Sequence, residues 1–548
     1  MMSEQNKSTL GSTESTLNKQ ERPTRRSMMN MISAGVGFVV GAQVACSREG
    51  GIQVKSSPAP VSANTTPDSA SAKTTNDASA EMQLDLDLDD FIVHGNTPLT
   101  YEAKRHTIGT SVITHEKHLY IRNNLPMPSR KIMAKPDEWA LKVKGVKNSR
   151  NITVAELKTL GLHTVTAVLQ CSGNGRAFYT HGPSGSQWST GAAGCVIWSG
   201  VKLSDVIDHL GGVKGKAKYL TSTGGDPLPE GVDPLAVIVE RSIPIEKGLK
   251  DAMLAWEMNG DEISLEHGGP LRLIVPGYFG CNQIKYIKQI AFTTEQTQSK
   301  IQKAGYRFRP IGEKGSPKYP SMWAMPVKSW LTNEEQMFGK KQVLRGVAMG
   351  GEHSVTKVEI SLDGGKTWKI APFVGPDLGP FAWRLFQMTV ELPKGEHQIM
   401  TKAYNAKGEV QPEKRAENER GYGHNGWRDH ALKISVYPEN MRGKVAKKVT
   451  AVTAKPVVKK KEKVELSAQA KRGKEVYLKE TMPQCGVCHT LNDAGTKGAV
   501  GPKLDDLKPS VDQIKNAVSK GLGAMPAQKQ LSEAQLNALA QYVFEATK

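Results

Sequence analysis

At 548 residues the chain is longer than one hydrophobic core can organise, and roughly 150 residues per domain predicts three or four units. A formal charge of +19 raises nucleic acid or an anionic membrane as partners, but residues 442–463 hold nine basic side chains and one acidic, and so supply +8 of it. The remainder is moderately basic and lacks zinc-finger spacing, an aromatic RNA-binding motif or a phosphate-cradling glycine loop, which argues against nucleic acid and for an anionic substrate or an acidic redox partner.

In chain order the first feature is Thr24-Arg25-Arg26-Ser27-Met28-Met29, an arginine pair ahead of an apolar run over residues 31–42. A dozen residues fall short of the roughly 20 needed to span a membrane, so residues 1–46 read as a twin-arginine export signal. A basic N-terminus beside a weak core helix is the plainer alternative. Cys46 follows the run and offers a point for a lipid anchor, although Gln43 stands where a lipoprotein signal has Leu. Residues 47–88 are rich in Ser, Thr, Ala, Pro and Asp, too poor in apolar surface to offset their ordering entropy, and read as a disordered tether. The six cysteines, Cys46, Cys171, Cys195, Cys281, Cys485 and Cys488, are too sparse for a disulfide framework.

Residues 89–295 mix helix-like segments (153–160, 202–210) with β-rich runs such as 271–276, which predicts an α+β domain. Its sharpest motif is Leu169-Gln170-Cys171-Ser172-Gly173-Asn174-Gly175-Arg176, a cysteine entering a glycine-rich turn with an arginine five residues on. A thiolate is a soft ligand for a transition metal, and a nearby cation lowers its pKa. A buried structural cysteine fits as well, and the motif alone leaves both open. Residues 296–439 look all-β: short strands (358–362, 397–404) alternate with Asp-Gly-Gly and Asn-Ala-Lys-Gly turns, the pattern of a two-sheet sandwich. Residues 440–466, rich in Lys, Val and Ala with Pro456, read as a second linker.

The last unit, 467–548, carries Cys485-Gly486-Val487-Cys488-His489. Two thiols at this spacing reach both vinyl groups of a porphyrin, and the adjacent imidazole reaches the iron. A short amphipathic helix over 468–478 precedes the motif. Gly501-Pro502 follows it, Met525-Pro526 comes about thirty-five residues later, and Ser532 caps a final helix bearing Leu536, Leu539 and Val543 on one face. This order resembles a class I cytochrome c: an all-α domain with one haem c held covalently by Cys485 and Cys488. His489 and Met525 are then the axial ligands, a pair that suits electron transfer.

Further motifs give the middle of the chain a family. Arg122-Asn123-Asn124-Leu125-Pro126-Met127-Pro128, the Cys171 stretch, His267-Gly268-Gly269-Pro270-Leu271-Arg272, Gln283-Ile284-Lys285, Ser361-Leu362-Asp363-Gly364-Gly365 and Asn418-Glu419-Arg420-Gly421 follow the order found in the sulfite oxidase family, which residues 89–437 resemble. The resemblance implies a molybdopterin-binding domain, an Ig-like dimerisation domain and hence a homodimer. Cys171 matches the thiolate ligand of a molybdenum held by molybdopterin. Arg122, Asp226, His267, Arg272 and Lys285 match positions that grip the pterin and its phosphate, with Asn123, Asn124, Gln283 and Ile284 in the same motifs. Arg122, Arg176 and Arg420 match a cationic substrate pocket, Trp188 its lining, and Tyr306 the active-site tyrosine. Asn124 stands where the animal enzymes have His, and Cys281-Asn282 replaces an Ala-Arg pair, which removes one positive contact near the cofactor. Cys195 and Cys281 read as small core residues.

The expectation is a molybdenum enzyme that oxidises sulfite and passes electrons through its own haem to an external cytochrome c or another periplasmic acceptor. Export of folded protein suits a cofactor loaded in the cytoplasm and a haem attached outside it. The alternatives are a sulfane dehydrogenase acting on protein-bound sulfur and a non-catalytic electron carrier. The presence of Cys171 and the three arginines weighs against the second.

Overall fold

The computed structural model describes residues 86–229, 232–445, 465–498, 501–522 and 525–548. The export signal, Cys46, nearly all of the tether, most of the Lys-rich linker, and Gly523 and Ala524 lie outside these residues. Among the described residues no helix is long and apolar enough to cross a membrane.

The first part is built on two five-stranded sheets and a three-stranded one. One five-stranded sheet joins Met253–Met258, Ala193–Lys202 and His163–Gln170, with Asp261–Glu262 and Arg272–Ile274 also paired to Met253–Met258. The other orders Asn151–Thr153, Ala140–Lys144, Ile287–Thr293, Tyr219–Gly224 and Glu240–Pro244. The helix Val154–Thr159 starts where the Thr153 hydroxyl accepts from the Glu156 amide and buries Val154 and Leu157. The helix Leu203–His209 buries Leu203, Val206 and Ile207, the i, i+3, i+4 stripe expected of a helix lying on a sheet. Both stripes enter one core with Leu141, Leu220, Leu254 and Ile290.

The second part is a sandwich of a four-stranded and a five-stranded sheet, beginning at Lys328–Leu331 and ending at Leu432–Tyr437. Alternation decides its faces: Leu344, Val358, Phe386, Ile399 and Ile434 point inward and are fully buried. Residues 296–327, grouped with the sandwich on sequence grounds, pack against both the first part and the sandwich. This segment contributes no strand, and its Met322 and Met325 share a core with Phe91, Val168 and Phe279 of the first part and with Trp330, Val347 and Trp383 of the sandwich.

The C-terminal part is helical: Ala468–Glu475, continued by a wider turn Val476–Glu480, then Cys485–Cys488, Leu504–Leu507, Val511–Lys520 and Glu533–Ala546. Ser510 and Ser532 each form a capping box, with Gln513 and Gln535 respectively. The first and last helices cross at Gly473, where a Cβ would lie 2.0 Å from the Ala538 carbonyl oxygen, so only glycine permits the approach.

Candidate active site

The strand His163–Gln170 delivers Cys171 to the end of its sheet, and the turn that follows is pinned from several sides. The Cys171 amide donates to the Ala192 carbonyl at 2.9 Å, the Asn174 amide to the Cys171 carbonyl at 3.0 Å, and the Asn174 side chain bonds Gln170 and the Ala192 amide. Gly175 has φ +99°, and a Cβ there would collide with the His424 ring at 2.6 Å. The glycine-rich turn is therefore what lets the sandwich part approach the Cys171 loop so closely.

Two cavities meet at Cys171. The smaller, about 60 Å³, is lined by Asn123, Asp226, His267, Arg272, Gln283, Ile284 and Lys285, with Arg122, Asn124 and Tyr306 at its boundary with the larger. Five of its polar side-chain atoms are buried without a hydrogen-bond partner: Asn123 Nδ2, Ser172 Oγ, His267 Nε2, Arg272 Nε and Gln283 Oε1. Leaving such groups unpaired costs about 1–3 kcal/mol each, so five around one cavity mark a place built to receive a polar group. Burial, with Arg272 nearby, holds the Lys285 ammonium well below its usual pKa, and burial raises the Asp226 carboxyl to about 6. Arg122, Arg272 and Lys285 against one carboxyl give a cationic, donor-rich wall, which fits an anionic pterin phosphate beside a thiolate-bound metal.

The larger cavity, about 430 Å³, is lined by Arg122, Cys171, Arg176, Trp188, Tyr306 and Arg420 on one side. Among the described residues its lining holds three arginines and no carboxylate. Arg176 is buried, donating from Nε to the Arg420 carbonyl (2.9 Å) and from Nη1 to the Ser186 carbonyl (2.8 Å). Burial, with Arg420 adding repulsion, lowers its pKa. Arg420 keeps an unpartnered buried Nε, and both guanidiniums lie over the Tyr422 ring, at 5.3 and 5.6 Å. Asn124 Oδ1 accepts from Arg122 Nη2 at 3.0 Å and from the Tyr306 hydroxyl at 3.4 Å, so it ties the first and last of these groups together. Burial raises the Tyr306 pKa, which keeps the phenol protonated as a donor.

Cys485, Cys488, His489 and Met525 line the same cavity from the other side, among Ile514, Val518, Leu539 and Val543. The buried His489 donates from Nδ1 to the Pro502 carbonyl at 2.9 Å, which leaves Nε2 free for a metal. A Cβ on Gly501 would lie 2.3 Å from the His489 ring, so the cradle is fitted to that imidazole. Two thiols, a fixed imidazole and a thioether around an apolar space fit a haem. The two sides are joined by Lys300 Nζ, which donates to the Met525 carbonyl at 2.7 Å, and by Lys520 with Glu419 at 3.4 Å.

All the cofactor, metal and substrate residues named from sequence therefore line one or the other cavity. Cys195 is buried in the core, whereas Cys281, grouped with it as a core residue, also forms part of the wall of the smaller cavity. Sequence reasoning missed three residues. Tyr120 lines the smaller cavity, and Tyr422 stacks on Tyr306 with ring centroids 5.4 Å apart. Arg241 lies behind Tyr306, 5.3 Å from its ring. Tyr422 lies one residue beyond the Asn418–Gly421 motif, while Arg241 had no motif to expose it.

Residues 125–301 match the oxidoreductase molybdopterin binding domain family, 320–436 the Mo-co oxidoreductase dimerisation domain, and 468–543 the family described as cytochrome C oxidase, cbb3-type, subunit III. The chain is 30% identical over 370 residues to mitochondrial sulfite oxidase of Homo sapiens, covering 63% of this chain and 66% of that protein's length, just under two thirds. It is 31% identical over 343 residues to sulfite oxidase of Gallus gallus, covering 59% and 72%. Among solved structures, the sulfane dehydrogenase SoxCD from Paracoccus pantotrophus aligns with TM-score 0.53 at 25% identity, over 62% of this chain and 87% of that one.

Proposed function

Because the chain belongs to the sulfite oxidase family, we propose that it oxidises sulfite to sulfate and passes the electrons singly through its own haem c to an external cytochrome c-type acceptor. The observation that carries this is the larger cavity, lined by three arginines and Cys171 on one side and by the haem-ligand set on the other.

Cys171 would ligate molybdenum; Arg122, Asp226, His267, Arg272 and Lys285 would hold the molybdopterin; and Cys485 and Cys488 would bind haem covalently between His489 and Met525. When bound, these groups supply oxygen-atom transfer, two-electron oxidation and one-electron storage. The chain does the rest. Arg122, Arg176 and Arg420 bind the oxygens of a compact oxyanion and leave its sulfur lone pair facing the Cys171 side. Their charge is set before substrate arrives, in a pocket where Trp188 and Tyr422 limit water, so little reorganisation is needed. The Tyr306 hydroxyl donates to the oxyanion and keeps its proton. The sandwich part would mediate a homodimer, as its match to a dimerisation domain supports. The Arg25-Arg26 signal supports export and a periplasmic site of action.

The test is sulfite-dependent reduction of the haem in the purified full-length protein, followed by visible absorption in a stopped-flow mixer. Reduction within one turnover is expected. No reduction, with molybdenum and haem both shown to be bound, would remove free sulfite. It would favour a protein-bound sulfur substrate, the reading to which the likeness to a sulfane dehydrogenase points. The Lys300 contact gives a second expectation. Lys300→Met loses a charge-assisted bond worth about 1.5 kcal/mol, so electron transfer to the haem after flash photoreduction should slow about tenfold, with molybdenum content unchanged. An unaltered rate would mean that Lys300 does not hold the electron-transfer geometry.

A further inference from the structure

Asn282 stands where the family resemblance implies an arginine, yet the structure brings a guanidinium to that point from another strand. Arg241, in Glu240–Pro244, donates to Asn282 Oδ1 from Nε at 3.3 Å and from Nη2 at 3.1 Å. It also donates to the Ile301 carbonyl at 3.2 Å and to the Ser321 hydroxyl at 3.0 Å. Its side chain is among the largest fully buried ones, and its guanidinium sits 5.3 Å from the Tyr306 ring. Every one of these partners is neutral, and among the described residues no carboxylate pairs with Arg241. A permanent charge kept in the interior without a counter-ion is costly for structure alone. It is useful where an anion arrives, and Tyr306 and Cys281, the two groups in front of it, both line the cavities that meet at Cys171.

We propose that Arg241 is a positioning residue of the oxyanion site: it fixes the Tyr306 ring from behind and supplies the cavity wall with the positive charge that Asn282 does not. This rests on the reading that the larger cavity binds sulfite. Arg241 also holds the Ile301 carbonyl, at the start of the turn Ile301–Gly305 that leads into Tyr306, so one side chain sets both the ring and the approach of its backbone.

Three holoenzyme variants separate charge from scaffold. Arg241→Gln keeps hydrogen-bond donors and loses the charge. Arg241→Lys keeps the charge and loses the planar fork. Arg241→Ala combined with Asn282→Arg returns a guanidinium to the vacated space from the neighbouring turn. Calorimetric titration with sulfate reads anion affinity directly, and molybdenum content and steady-state kinetics on sulfite accompany it. Arg241→Gln should weaken sulfate binding and raise KM about tenfold, while Arg241→Lys and the double variant stay within about threefold of the unaltered protein. If Arg241→Gln binds sulfate normally, or if Arg241→Lys loses as much as Arg241→Gln, the charge has no such role and the inference falls. An unaltered protein that binds neither sulfite nor sulfate would overturn the sulfite reading first, and this inference with it.

Discussion

Cys171→Ser is expected to lower sulfite-dependent haem reduction by about 10³-fold while leaving the fold in place. Serine differs by one atom, and the amide bond to the Ala192 carbonyl and the turn through Asn174 do not involve the sulfur. Cys171 is only partly buried, so the exchange opens no core cavity. What changes is ligand character: an alcohol oxygen is a hard, poorly ionised donor where a soft thiolate suits the metal, and a loss of three decades corresponds to about 4 kcal/mol. Stopped-flow absorbance reads the rate, circular dichroism the fold and mass spectrometry the metal. Near-normal reduction in this variant would take molybdenum chemistry at Cys171 out of the reaction.

The second large effect concerns stability. Lys328 is wholly buried, its only acceptor among the described residues is the Asn174 carbonyl at a long 3.4 Å, and no carboxylate pairs with it. Nearby His424 and His430 are themselves held neutral, chiefly by burial. Burial lowers the Lys328 pKa to about 7, against about 10.4 in an unfolded chain. Between these values the unfolded state binds more protons, so stability rises with pH; below about 7 both states are charged and the full desolvation cost is present. Lys328→Met should therefore stabilise the protein by about 3–4 kcal/mol at pH 6, with the difference shrinking towards zero near pH 10. Denaturant melts at several pH values measure this, and a gap that does not depend on pH would show that Lys328 is not buried as a charge.

Much of this was legible in the sequence because the informative residues are local. The cysteine pair with its adjacent histidine announces chemistry through spacing, whereas Cys171 entering a glycine turn becomes readable only with the neighbouring motifs in order. The sandwich strands announce themselves through alternation, as Leu344 and Ile434 show. The domain edge at 295 was less legible. Residues 296–327 have no period to read, and their packing between the two parts depends on where Met322 and Met325 find a core. Arg241 was not legible at all. Its meaning comes from contacts with residues 41, 60 and 80 positions away, which no window of sequence displays. Comparing position 282 alone suggested a lost cation, whereas the fold had moved it.

The short turn between Lys300 and Tyr306 touches Met525 at one end and the arginine-lined cavity at the other. Its length thus acts as a gauge. Inserting or deleting one residue would put either the lysine or the phenol out of reach, so a chain that parted with its fused cytochrome would be released from this constraint. Relatives that deliver electrons to a separate carrier should therefore tolerate variation in the length of this turn that chains of this design do not.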